Sequence, residues 1–148
     1  SPFLISRDLD VLNDAIVFLP TYKEPEGVKL VINELRDVFD PFILVIDRPT
    51  GDSTADNAEK LGATVLKQKS KGKGSAIKDA IEYLETVSLN HKYVIMIDAD
   101  HTYPTHYIPE MVDILESNPT VGMVCGRRPA TRELDIYHIG REKNDCII

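Results

Sequence analysis

Two carboxylates one residue apart, Asp98 and Asp100, follow directly on the apolar run Tyr93-Val94-Ile95-Met96-Ile97. Such a run reads as a buried strand, and Pro104 soon blocks its continuation. Acids at the carboxyl end of a buried strand stand where open α/β sheets bind ligands. Charge there is costly unless something pairs with it. A divalent cation carrying a phosphate ligand is the natural partner, because hard cations prefer oxygen. A lone D-x-D is more often a helix cap followed by a solvated acid, so the remaining clusters must shift the balance.

Asp47 closes a second apolar run, Phe42 to Ile46, and its carboxylate can accept hydrogen bonds from a base or ribose. Glu24 follows a third run and is placed similarly; the bland alternative is helix N-terminal electrostatics just before Pro25. Gly72 and Gly74 permit a tight loop before a helix whose free N–H groups favour an anion, and Lys73 adds charge there. Lys67, Lys69, Lys71, Lys73 and Lys78 form one basic group, and Arg127, Arg128 and Arg132 a second. Basic clusters are usually solvated faces. Each of these follows a predicted strand, which favours a bound phosphate.

The elements that must position these residues alternate. Strand-like runs at 15–19, 42–46, 63–66, 93–97 and 121–125 are separated by segments with helical apolar spacing at 26–39, 54–61, 74–87 and 107–115. Asp52 or Ser53 opens the second helix and Gly62 closes it. Ala76, Ile77, Ala80, Ile81 and Leu84 share one face of the third. This alternation predicts βαβ units, an α/β fold with a mainly parallel sheet and helices on both faces. Right-handed crossovers gather all strand carboxyl ends on one edge. After Arg128 the pattern loosens, and disorder somewhere between Arg128 and Arg141 is expected in the absence of an acceptor.

The chain has 148 residues, 43% hydrophobic and 28% charged, and is expected to form one globular domain. No apolar run approaches the ~20 residues of a membrane span, and no secretory signal is visible. A net charge of −7 argues against general nucleic-acid binding. Cys125 lies in an apolar run and reads as a reduced core residue, and nothing suggests a disulfide scaffold with Cys146. The chain starts with Ser and stops in the apolar run Cys146-Ile147-Ile148, so it reads as a piece of a longer protein.

Five segments in order resemble the family 2 glycosyltransferases of the GT-A fold, above all the polyprenyl-phosphate (dolichyl-phosphate) sugar synthases. They are PTYKEPEGV at 20–28, VIDRPTGDSTADNAEKLG at 45–62, KGKGSAIKDAI at 71–81, MIDADHTYPTHYIPEMV at 96–112 and VCGRR at 124–128. The resemblance covers roughly residues 14–128. It implies that Pro20, Tyr22, Glu24, Asp47, Lys73 and Asp98 line the nucleotide-sugar site. It implies a Mg²⁺ or Mn²⁺ ion held by Asp98, Asp100 and Thr102, with Asp100 and Arg128 as catalytic residues. Departures are Arg48 for the second acid of V-D-D, Lys23 for the usual Asn, Thr102 for Gln, and Arg127 for the serine of G-S-R. Arg141 aligns loosely with a further family arginine.

The reading is therefore the nucleotide-sugar-binding part, over residues 1–148, of an inverting glycosyltransferase. It would move a sugar from GDP-mannose or UDP-glucose to a polyprenyl-phosphate or glycan acceptor, with no nucleic-acid partner. It would work in the cytoplasm, at a membrane face where the acceptor is a lipid. A phosphate acceptor is already nucleophilic near neutral pH and needs no strong general base. Two rivals stand beside it. A nucleotidyltransferase would carry a Gly-rich loop after its first strand, where PTYKE stands here; a non-catalytic nucleotide-sugar-binding module would fit the short length and Arg48.

Overall fold

The computed structural model describes residues 12–87, 91–101, 104–127 and 136–141, the last six and 126–127 by their backbone alone. Six strands form one sheet: β1 (Ala15–Thr21), β2 (Phe42–Asp47), β3 (Thr64–Lys67), β4 (Tyr93–Met96), β5 (Met123–Arg127) and β6 (Ile136–Arg141). Between them lie α1 (Pro25–Val38), α2 (Thr54–Lys60), α3 (Lys73–Thr86), a 3₁₀ turn (Thr105–Tyr107) and α4 (Ile108–Ser117). The strand order is β3-β2-β1-β4-β6-β5. β1 pairs in parallel with both β2 and β4, and β2 with β3; only β6 runs against its neighbours.

β1 and β2 are apolar on both faces because both faces are covered, as parallel strands require. One face packs Val17, Leu19, Val45 and Ile95 against α1, α2 and α4. The other packs Ile16, Phe18, Leu44, Ile46 and Met96 against Ala76 and Ala80 of α3. The mainly parallel, doubly covered sheet is thus the one the alternation predicts.

Four local readings need correction. Strand β1 does not stop at Leu19 but runs through Pro20 to Thr21. The Phe18 carbonyl accepts the Ile97 N–H at 3.1 Å, so residues 18 and 20 direct their backbone groups toward β4. β4 ends at Met96, and the N–H that Pro20 lacks would have little ladder left to join. Ile81 is 40% exposed rather than on the buried face of α3. Cys125 is exposed, not core: β5 is an edge strand, Val124 packs against the core that α4 covers, and Cys125 takes the alternating side. Residues 136–141 form β6, and the disorder expected somewhere between Arg128 and Arg141 is left to residues 128–135, which lie outside the described region. β6 also corrects the reading of Arg141. Its pairing with Tyr93, the first residue of β4, puts it at the opposite end of the sheet from Asp98.

Core truncation should separate these environments. Ile95→Ala, in a central strand and fully buried, should cost about 2–5 kcal/mol. Ile81→Ala should stay within about 0.5 kcal/mol. Urea unfolding of both variants measures the difference.

Candidate active site

The chain crosses from β3 back past β1 to form β4, so β1 is flanked by strands whose connections depart in opposite directions. This is the switch point at which α/β sheets open a crevice beyond the strand carboxyl ends. Thr21 and Asp47 are paired across the β1–β2 ladder at that edge. The Thr21 hydroxyl donates to Asp47 Oδ1 at 2.7 Å. Burial pushes the Asp47 carboxyl above its usual range; the Thr21 bond opposes this, and nearby Asp52 adds to it.

The loop after β1 is fixed by α2. The Glu24 N–H donates to Thr54 Oγ1 at 3.1 Å, and Asn57 Nδ2 donates to the Pro25 carbonyl at 2.8 Å. Glu24 occupies the N-cap position of α1 without a side-chain capping bond. Its carboxyl is raised by partial burial, then by the charge of Asp100, then by that of Asp98. Three acids therefore share one field at the switch point. Asp98 pairs with Lys73 Nζ at 3.0 Å, which brings the G-K-G loop to the D-x-D. That pair is half exposed, so its own stabilising effect is small.

Two non-glycine residues in this region have left-handed backbone, Lys23 (φ 54°) and His101 (φ 61°), next to Glu24 and Asp100 respectively. Such conformations cost on the order of 1 kcal/mol and gather at functional sites. Asparagine tolerates them better, which gives a physical reason for the Asn that family 2 sequences usually carry at the Lys23 position. Gly27, in the first turn of α1, lies hard against the D-x-D backbone. A Cβ there would sit 2.2 Å from the Ala99 carbonyl oxygen.

An open cleft of about 230 Å³ joins these parts, lined by Pro20, Tyr22, Arg48, Gln68, Lys73 and Asp98 among others. The Arg48 guanidinium lies over the Tyr22 ring, 4.5 Å from its centre, and Lys23 stands 5.1 Å away. The lysine-rich loop is pinned from beneath. Gln68 Nε2 donates to the Gly72 carbonyl at 2.8 Å, and the Lys69 N–H donates to Asp79 Oδ2 at 2.8 Å.

Pro20, Tyr22, Lys73 and Asp98 thus share the cleft, Asp47 lies under Thr21 beside it, and Glu24 and Asp100 adjoin Asp98. Thr102 and Arg128 lie outside the described residues. Sequence reasoning missed Gly27, Glu34, Thr54 and Asp79. Only Asp79 carried a usable signal, being an acid between Ala76 and Ala80 on the apolar stripe of α3. Among the described residues no three acids, histidines or cysteines converge to cage an ion.

Residues 16–145 match Glycosyl transferase family 2. The chain belongs to that family. It is 39% identical over 103 residues to Glycosyltransferase AglJ of Haloferax volcanii, a match covering 69% of this chain and 33% of AglJ. It is 28% identical over 118 residues to the Dolichyl-phosphate hexose transferase of the same organism, covering 78% and 48%. The chain thus spans a third to a half of these relatives. Its fold resembles that of glucosyl-3-phosphoglycerate synthase from Mycobacterium tuberculosis in complex with Mn²⁺, UDP-glucose and phosphoglyceric acid. The TM-score is 0.65 at 22% identity, over 80% of this chain and 45% of that one. The GT-A glycosyltransferase domain read from the five motifs is therefore what this chain forms.

The buried carboxylate allows a stability test. The folded-state value of Asp47 is raised above 3.8, so the stability it contributes is present below that pH and is lost as pH rises through the folded value. Asp47→Asn should therefore raise the Tm at neutral pH and change it little at pH 3. Nucleoside diphosphate binding should fall in the same variant. Thermal melts across pH, with calorimetric titration, check both.

Proposed function

We propose that this chain is the donor-binding portion of an inverting hexosyltransferase that uses GDP-mannose or UDP-glucose and, in the whole protein, a polyprenyl-phosphate acceptor. The observation that carries the reading is the shared field of Glu24, Asp98 and Asp100 at the β1/β4 switch point, beside a cleft with Lys73 and Arg48. Carboxylate oxygens of this kind fit a Mg²⁺ or Mn²⁺ ion that takes one or two carboxylates from the protein and the rest from substrate phosphates. Such an incomplete cage agrees with the absence of a three-residue cluster among the described residues.

In this reading Asp100 and Asp98 would hold the ion, with Thr102 beside them. The ion supplies charge neutralisation on the departing nucleoside diphosphate. Lys73 stands at the start of α3, where its ammonium and the helix N–H groups favour a phosphate. Asp47 and Glu24 take the nucleoside side, with Pro20 and Tyr22 as the wall. The acceptor phosphate oxygen attacks the anomeric carbon on the face opposite the leaving group, which inverts the configuration. Arg128 would steady a phosphate by charge-assisted hydrogen bonds. The dolichyl-phosphate relative supports the lipid acceptor, and the UDP-glucose and Mn²⁺ complex of the fold neighbour supports the donor and ion. Family membership favours sugar transfer over nucleotidyl transfer.

Asp100→Ala should remove the metal-dependent part of nucleoside diphosphate binding, at least about tenfold, and leave the fold intact. Calorimetric titration with and without Mn²⁺ measures this; unchanged metal dependence would falsify the assignment. The full-length protein should transfer radiolabelled sugar to a polyprenyl phosphate in detergent, and the 148-residue chain should bind donor without transfer. Equal transfer by both would place the whole machinery inside these residues. Transfer to phosphoglycerate instead would replace the lipid acceptor by a small phosphorylated one.

A further inference from the structure

Helix α1 touches the D-x-D segment at two places two turns apart. Gly27, in its first turn, abuts the Ala99 carbonyl. Glu34, seven residues on and therefore on the same face, reaches past Asp100. Its Oε1 accepts the Thr105 N–H at 2.9 Å and the Thr105 hydroxyl at 2.7 Å. Its Oε2 bonds to His101 Nε2. Thr105 is fully buried, whereas His101 is exposed and held in left-handed backbone directly after Asp100. Residues 97–101 belong to no strand or helix, and the Ile97 N–H donates to the Phe18 carbonyl at their start. Glu34 supplies three bonds to the residues that follow the two acids.

We propose that Glu34 is a positioning residue for the D-x-D carboxylates: it ties His101 and Thr105 to α1 and so sets where Asp100 meets the metal and diphosphate. The proposal rests on the reading of Asp98 and Asp100 as the ion-holding pair. Groups that orient the ligands of a metal, without touching it, commonly change affinity by about 10–100-fold when removed. Gly27 acts with Glu34 as the lower contact of the same strut. No side chain there leaves the Ala99 backbone close to the helix, and the Glu34 carboxylate pulls in the far side of the segment.

The test uses Glu34→Ala, with Glu34→Gln as the conservative partner and the shorter Glu34→Asp should the alanine variant not fold. In the metal-free protein, hydrogen exchange at the described amides of 98–105 should quicken about tenfold or more in Glu34→Ala, while β1 and β2 keep their protection. The affinity gained by a nucleoside diphosphate on adding Mn²⁺ should fall about tenfold, with metal-free affinity within about twofold of wild type. Glu34→Gln should recover most of both, because its carbonyl oxygen still accepts from Thr105. Unchanged exchange at 98–105, a uniform rise across the sheet, or a local rise with an unchanged Mn²⁺ gain would each overturn the proposal. A wild-type protein with no Mn²⁺ gain would sink the metal reading itself. Glu34 would then be judged by exchange alone.

Discussion

Glu24, Asp98 and Asp100 are held in one another's field where β1 and β4 part, and the Glu24 carboxyl is raised by partial burial and then by the charges of Asp100 and Asp98. Left to relax, the loops would swing these acids into water. Named contacts prevent this: Thr54 and Asn57 anchor the loop after β1, Glu34 and Gly27 hold the segment after β4, and Lys73 pairs with Asp98. The sheet beneath is apolar on both faces and cannot yield. The result is a rigid excess of oxygen donors, which a cation and its phosphate cargo would relieve.

The cleft also shows why net charge is a poor guide to the ligand. A chain at −7 should repel an anionic nucleotide in bulk, yet basic side chains stand at the cleft beside its acids. Arg48, Lys23 and Lys73 stand around the cleft, and Tyr22 lies between the first two. Clefts act through their own focused potential rather than through the whole-molecule charge. Arg48 replaces an acid that family 2 sequences usually carry. Fixed against an aromatic ring, it loses less entropy on binding a phosphate or carbonyl than a free arginine would.

What could be read from the sequence was whatever had a period. Buried parallel strands are continuous apolar runs and their helices repeat at 3.6 residues, so five strands and four helices were recovered to within about two residues. Pro20 misled because proline stops a ladder only where a ladder continues. Cys125 misled because an apolar run at a sheet edge is covered on one face only. β6 was hidden because it inserts antiparallel between β4 and β5, a placement without local imprint. The site acids were legible because they end strands. Their supports were not: Glu34 looks like any solvated acid beside an apolar stripe, and only the tertiary fold shows what it holds.

The antiparallel course of β6 also bears on the acceptor side. Arg127 ends β5 and is paired with Ile136, the first residue of β6. β5 runs parallel to β4, because each is antiparallel to β6, so Arg127 ends at the edge where Asp98 begins its loop. In the β4–β6 register, Met96 faces His138, which puts Ile136 two positions further along, level with Asp98. The connection from Arg127 to Ile136 therefore leaves from and returns to the edge that carries the D-x-D. Arg141, paired with Tyr93 at the start of β4, is carried by the strand to the far end, away from the edge where Asp98 begins its loop.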